Sequence, residues 1–210
     1  MPKVVDPAAR REEVVDAVFR VVRRAGFEQA SLRNVAEEAG LAIGSVRHYF
    51  DGHTDLMTFA MRASIDRVSA RLIERLGPLL AASDHDRRAE GVEPMLSELL
   101  PLDEARRDEA AVWLAFTTAA RTRPELRPLA QEAHDGMRRL VRRIIDGVAR
   151  HRPPGTRVDL EVDAEVETER LAALIDGLTL AGVLHPDRMT PELMRDALRR
   201  HLQTLAEPRP

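Results

Sequence analysis

Apolar residues return every three or four positions from the first turns of the chain, and Val15, Val18, Phe19 and Val22 form a stripe that Gly26 ends. That period is the mark of an amphipathic helix. Asp6-Pro7 suits its start, an N-cap followed by proline at the first helical position, with Glu12 and Glu13 close to the positive end. A second stripe, Leu32, Val35, Ala36 and Ala39, follows Ser31 as a candidate cap and stops at Gly40, which suits a left-handed turn. A third short helix is predicted from about Ala42 to Phe50, with Val46 and Phe50 one turn apart on its inner side. After Asp51-Gly52 a long helical pattern runs from about His53 to Leu76, and Gly77-Pro78 is predicted to break it.

Every later periodic segment also reads as helix, and no alternating strand pattern occurs. "GVEPMLSELLP" predicts a short helix, "DEARRDEAAVWLAFTTAARTR" a longer one opened by Asp103, and "PELRPLAQEAHDGMRRLVRRIIDGVAR" another. "RPPGT", residues 152–156, is the clearest interruption. Two helices close the chain, one striped by Leu171, Leu174, Ile175 and Leu178, the other by Met194, Leu198, Leu202 and Leu205 after Thr190-Pro191. The expected fold is all-α with about nine helices. A small three-helix unit over residues 1–52 precedes a larger bundle over 53–210, and the long fourth helix joins them.

Composition narrows the function classes. With 44% hydrophobic and 32% charged residues, the 210-residue chain is an ordered, soluble globular protein. It has no cysteine, which excludes disulfides, thiolate metal sites and a cysteine nucleophile. No apolar signal region or membrane-length apolar run occurs, so a cytoplasmic protein without membrane attachment is expected. The net charge of -3 does not point to nucleic acid, and residues 1–53 hold eight Lys or Arg, Lys3 being the lone Lys, against eight Asp or Glu. Any DNA contact must therefore come from basic groups sorted onto one face. None of the seven His has an acid three positions before it, so the Glu-x-x-His pairs of a di-iron bundle are missing. Zinc-protease, phosphate-loop, nucleophile-elbow and dinucleotide motifs are absent as well. No catalytic residue, metal or cofactor is expected.

The segment "SLRNVAEEAGLAIGSVRHYFDG", residues 31–52, carries the functional signal. A helix-turn-helix needs one helix anchored on the body, a tight turn and a second helix with polar or small residues outside. Leu32, Val35, Ala36, Val46 and Phe50 can make the inner faces, Gly40 the turn, and Ile43, Gly44, Arg47 and His48 are left outside. Geometry alone leaves a second reading open, an ordinary αα-hairpin whose exposed Arg and His are only solvated.

"SLRNVAEEAGLAIGSVRHYFDGHTDLM" also resembles the DNA-binding signature of TetR-like bacterial transcriptional regulators. Ala39-Gly40-Leu41, Gly44-Ser45 and His48-Tyr49-Phe50 all fall in its register, over about the first sixty residues. The resemblance implies that Ser31 and Arg33 meet phosphates, that Gly44, Ser45 and Arg47 enter the major groove, and that Tyr49 and His53 hold the backbone. Phosphate contacts of this kind fix register, while groove-facing side chains carry sequence information. Three positions depart from the usual pattern: Ala42 stands where Ser or Thr is common, Ile43 where Lys is frequent, and Arg47 where Tyr is common. Ile43 can meet a thymine methyl, and Arg47 can read guanine or grip phosphate.

In the second half, residues 112–126 and 171–193 look like the C-terminal domain of the BetI-like branch of these regulators. The resemblance implies a repressor that binds a palindromic double-stranded DNA operator as a homodimer and is released by a small-molecule effector. Leu171, Leu174, Leu178, Leu198 and Leu202, with Gly177 and Gly182 allowing close approach, are the expected dimer seam, although the same stripes suit an internal core as well. Trp113 and Phe116 lie on one helix face, with Arg121, His134 and Met137 as possible neighbours in an effector pocket. The two aromatics serve equally well as plain core. An aliphatic effector with an anionic end at Arg121 or His134 fits this composition better than a planar cation. The rival function is a helical protein-interaction adaptor without specific DNA binding, which a salt-dependent, sequence-selective DNA complex would exclude.

Overall fold

The computed structural model describes residues 6–81, 85–150 and 160–206; Lys3 and the "RPPGT" interruption lie outside them. Among the described residues the chain folds into nine α-helices and three single 3₁₀ turns, with no strand. They are α1 (Pro7–Ala25), α2 (Leu32–Glu38), α3 (Ile43–Tyr49), α4 (His53–Ala81), α5 (His85–Leu96), α6 (Glu104–Ala120), α7 (Arg127–Arg150), α8 (Leu160–Leu184) and α9 (Pro191–Ala206). The 3₁₀ turns are Phe27–Gln29, Ser97–Leu99 and Pro124–Leu126.

Capping chemistry sets the early boundaries. The Asp6 carboxylate accepts from the Ala8 N–H at 3.0 Å, and Pro7 supplies a first residue whose missing N–H costs nothing there. Gly26 ends α1 at φ 88°, a conformation that a side chain disfavours, while its N–H still reaches the Val22 carbonyl. Two helix limits differ from expectation. The fourth helix passes through Gly77-Pro78 to Ala81, because a proline removes only one ladder hydrogen bond and here only one turn remains beyond it. The fifth begins at His85, ahead of its first apolar residue, in a charged run without periodic signal.

The packing divides the chain into two compact units, residues 1–67 with 111–131, and residues 68–110 with 132–210. In the first, Val14, Val18, Val35, Val46 and Phe50 share one core with Leu56, Met57, Met61, Phe116 and Leu126. The boundary expected after Gly52 is thus not where the packing divides. Three helices in fifty residues bury little apolar surface, and the start of α4, the end of α6 and the turn after it complete that core. The second unit has its own core of Met95, Leu96, Leu100, Val141, Leu171, Ile175, Met194 and Leu198 among others. All seven Phe, Trp and Tyr residues of the chain fall in the first unit.

Candidate nucleic-acid interface

The candidate interface is built from α2 and α3. Ser31 caps α2, its Oγ accepting the Asn34 N–H at 3.2 Å, and the Asn34 side chain donates to the Gln29 carbonyl at 2.8 Å. Gly40 makes the turn at φ 66°, with its N–H on the Glu37 carbonyl. Ala42 precedes α3 in extended conformation and has no side chain to cap it, so α3 opens on a backbone bond from the Ser45 N–H to the Ala42 carbonyl at 2.9 Å. Val46 and Phe50 are buried and anchor α3 to the core. The same register leaves Ile43, Gly44, Ser45, Arg47 and His48 exposed on its outer side, with Ile43 at 39%.

Flanking groups complete the face. Tyr49 is half-buried, and its ring meets the His48 ring edge-on at 5.1 Å. His53 opens α4 and packs edge-on to Phe27 at 6.2 Å. Asp55, in the first turn of α4, accepts the Asp51 N–H at 3.1 Å and so fixes the corner between α3 and α4.

Electrostatics sorts the cations in a way that counting could not. Glu38, at the end of α2, takes Arg20 and Arg24 of α1, each at 2.8 Å. Hydrogen bonds from Arg20 first, then Arg24, hold its carboxyl below the usual carboxylate range. Arg10 pairs with Glu13, and Arg11 lies over the Phe50 and Phe59 rings at 6.0 and 5.6 Å. Among the described residues, exposed Arg33 and Arg47 have no ion pair. Two unneutralised guanidiniums therefore stand on α2 and α3, while several cations of α1 are engaged within the fold. The Arg20/Arg24–Glu38 clamp escaped sequence reading because its partners come from different helices.

The residues expected to line an effector pocket are not brought together within one unit. Phe116 has no exposed surface, and half-buried Trp113 packs against the same first-unit core, so the core alternative describes Phe116. Arg121 also belongs to the first unit, whereas His134 and Met137 belong to the second. Met137 is packed against the second core; His134 is exposed and faces Asp176, whose carboxyl burial pushes up against the opposing effect of His134.

The leucines of the expected dimer seam lie in the core of the second unit. Leu171, Leu178 and Leu198 are buried within their own chain, while Leu174 and Leu202 are half-buried and pack against the same core. Gly182 does permit close approach, since a Cβ there would lie 2.6 Å from Pro101 Cγ and 3.0 Å from Met194 Sδ. Gly177 faces open space. The exposed apolar residues of α8 are Val166 (49%), Leu180 (46%) and Leu184 (59%). With Ala173 and Gly177, also exposed, they fall on one side of the helix.

Among the described residues no cluster of side chains could hold a metal, and no helix is long and apolar enough to cross a membrane.

Known proteins resemble the chain along nearly its whole length. A family model described as bacterial regulatory proteins, tetR family, matches residues 14–58, and one described as BetI-type transcriptional repressor, C-terminal, matches residues 88–207. The HTH-type transcriptional regulator PksA of Bacillus subtilis is 33% identical over 205 residues, covering 98% of this chain and 94% of that protein. The regulator BetI of Vibrio campbellii is 30% identical over 197 residues, covering 93% and 91%. Among solved structures, a transcriptional regulator from Rhodococcus sp. Rha1 superposes with a TM-score of 0.77 at 32% identity, covering 93% of this chain and 95% of that one.

Proposed function

Because this chain belongs to the TetR family of bacterial transcriptional regulators, we propose that it is a cytoplasmic repressor that grips a palindromic operator as a homodimer and releases it when a small molecule binds. One observation carries the DNA reading: Arg33 and Arg47 are exposed without ion pairs among the described residues, on two helices whose inner faces are buried. Arg33, Tyr49 and His53 supply phosphate contacts that set register, with the Ser31 hydroxyl beside them. Ile43, Gly44, Ser45, Arg47 and His48 form the surface offered to base edges. Gly44 leaves room for close approach, Ile43 suits a thymine methyl and Arg47 suits guanine.

Anisotropy titration on a site selected from random duplexes tests this reading. Affinity should fall steeply with salt, because each neutralised phosphate releases counterions. Arg33→Ala should weaken all sequences alike and lower the salt slope by about 1. Arg47→Ala should cost about 1–3 kcal/mol on the selected site and flatten its base preference. An Arg47→Ala protein with unchanged affinity and preference would refute the role given to α3.

The apolar stripe of α8 supports the homodimer. Val166, Ala173, Gly177, Leu180 and Leu184 repeat at coiled-coil spacing, and the two small residues let a second helix approach closely. A two-fold dimer matches the symmetry of a palindrome. An effector held by the second unit meets aliphatic side chains and no aromatic one, which favours an aliphatic molecule over a planar cation. A thermal-shift comparison of aliphatic acids with cationic dyes, followed by operator release, checks this part. Stabilisation by the dyes alone would overturn it.

A further inference from the structure

Glu38 ends α2 with an acid at the negative end of the helix dipole, where a carboxylate weakens a helix. Two guanidiniums of α1 offset that cost. Arg20 Nε donates to Glu38 Oε1 at 2.8 Å, Arg24 Nη1 stands 2.8 Å from Oε2, and Arg20 Nη2 reaches the Glu38 backbone carbonyl at 3.4 Å. Arg20 and Arg24 lie one turn apart on α1, a spacing at which like charges repel unless an acid joins them. The Glu38 side chain is 16% exposed, so the joint is sheltered on its acidic side. What it holds is the approach to α3. The carbonyls of Ala36 and Glu37, in the last turn of α2, take the N–H groups of Leu41 at 2.8 Å and Gly40 at 3.1 Å. Beyond half-buried Leu41, Ala42 gives α3 no side-chain cap, and Ile43, Gly44 and Ser45 are exposed; within this seven-residue helix only Val46 is buried. The start of α3 therefore takes its position from the turn, and the turn from the end of α2.

We propose that Glu38 is a positioning residue for base selection: its joint with Arg20 and Arg24 fixes the last turn of α2 on α1, and with it the angle at which Ile43, Gly44 and Ser45 meet the duplex. This role presupposes the DNA reading of α2 and α3. As a charge alone Glu38 works against binding, because phosphates repel it and it occupies two cations. Its contribution is therefore to selectivity and not to total affinity. With the joint broken, Arg33, Tyr49 and His53 still meet phosphates, while the start of α3 loses its alignment with base edges.

Anisotropy titration of the parent, Glu38→Gln, Arg20→Gln and the double variant at one salt concentration tests this role. Each protein is titrated with a duplex that the parent selects from random sequences and with an unrelated duplex of equal length. The two single substitutions change net charge in opposite directions. Charge alone should strengthen binding to both duplexes in Glu38→Gln, weaken it in Arg20→Gln, and leave the ratio of the two affinities unchanged. Loss of the joint should instead lower that ratio in both variants. The expected fall is about fivefold or more in Glu38→Gln and smaller in Arg20→Gln, where Arg24 still holds the carboxylate; the double variant should fall no further than Glu38→Gln. Circular dichroism and the melting midpoint should stay close to the parent's, since Val18 and Val35 still pack α1 and α2 into one core. A ratio unchanged in Glu38→Gln, a ratio that rises in either single variant, independent losses that multiply in the double variant, or a fall seen only with lost helix content would overturn the proposal. A parent without preference for any duplex would remove the DNA reading as well, whereas variants as selective as a selective parent would remove this role alone.

Discussion

Phe27 and Phe116 meet edge to face, their ring centroids 5.5 Å apart and their planes at 85°, although one lies in the turn after α1 and the other in α6. The guanidinium of Arg123 covers the Phe27 ring at 4.9 Å, and its Nη2 reaches both carboxylate oxygens of Glu28 at 2.8 Å. With His53 on the same ring, Phe27 joins the segment after α1, the start of α4 and the end of α6 into the unit that carries α2 and α3.

Truncating Phe116 to Ala should therefore destabilise the DNA-reading unit itself. The expected cost is about 3–5 kcal/mol, from lost burial, an internal cavity and the lost ring contact. Denaturant unfolding followed by the fluorescence of Trp113, the one tryptophan, reads this unit directly. A cost below about 1 kcal/mol would show that the site collapses around the deletion.

Two leucines of the second unit should respond in opposite ways to a charge. Leu180→Glu changes an exposed residue, so the chain should stay folded while the dimer dissociation constant rises about a hundredfold or more. Leu198→Glu places a charge where the parent side chain has no exposed surface and should unfold the second unit. Sedimentation with circular dichroism separates the two outcomes. A folded Leu180→Glu protein that remained a dimer would remove α8 from the seam.

Gly182→Ala adds a methyl group where Pro101 and Met194 already press in. The Met194 thioether can move, but the Pro101 ring is rigid, so backbone must shift at an expected cost of about 1–3 kcal/mol. Gly177→Ala meets open space and raises helix propensity, so it should leave the monomer as stable or slightly more so. Paired thermal melts check the contrast.

Acid should weaken the packing of α9 on α8. His201 is half-buried with an unpartnered Nε2 among the described residues; burial and then the charge of Arg170 hold its pKa below the ordinary histidine value, against the opposing effect of Glu167. The unfolded chain takes up this proton near about pH 6.5, before the folded protein does. Stability present above that pH is thus lost as pH falls below it. His201→Gln should flatten the stability profile between about pH 7 and pH 5. An unchanged slope in that variant would assign the acid sensitivity to other groups.

Local chemistry made the interface legible in the sequence. The Ser31 cap, the Gly40 turn and the pair Val46 and Phe50 act over one or two helical turns, so their spacing alone specifies two short helices and which side of α3 turns outward. The all-helical pattern of the described residues was legible for the same reason, since a helix is written in neighbours three and four positions apart. Boundaries at Gly77-Pro78 and at His85 were not, because burial elsewhere along a helix can outweigh one weak turn.

The partnerships between distant segments belonged to the tertiary structure. Trp113 and Phe116 read as bundle residues from their place in the chain, yet their core is the one that holds α1 to α3. Apolar residues occur on both sides of α8, so the period marks a helix without saying which stripe faces inward; packing buries Leu171, Ile175 and Leu178 and leaves Val166, Leu180 and Leu184 outside. Sequence spacing determines what lies on one face of one helix. Which face is buried, and which arginines remain unpaired, depends on side chains brought together from far along the chain.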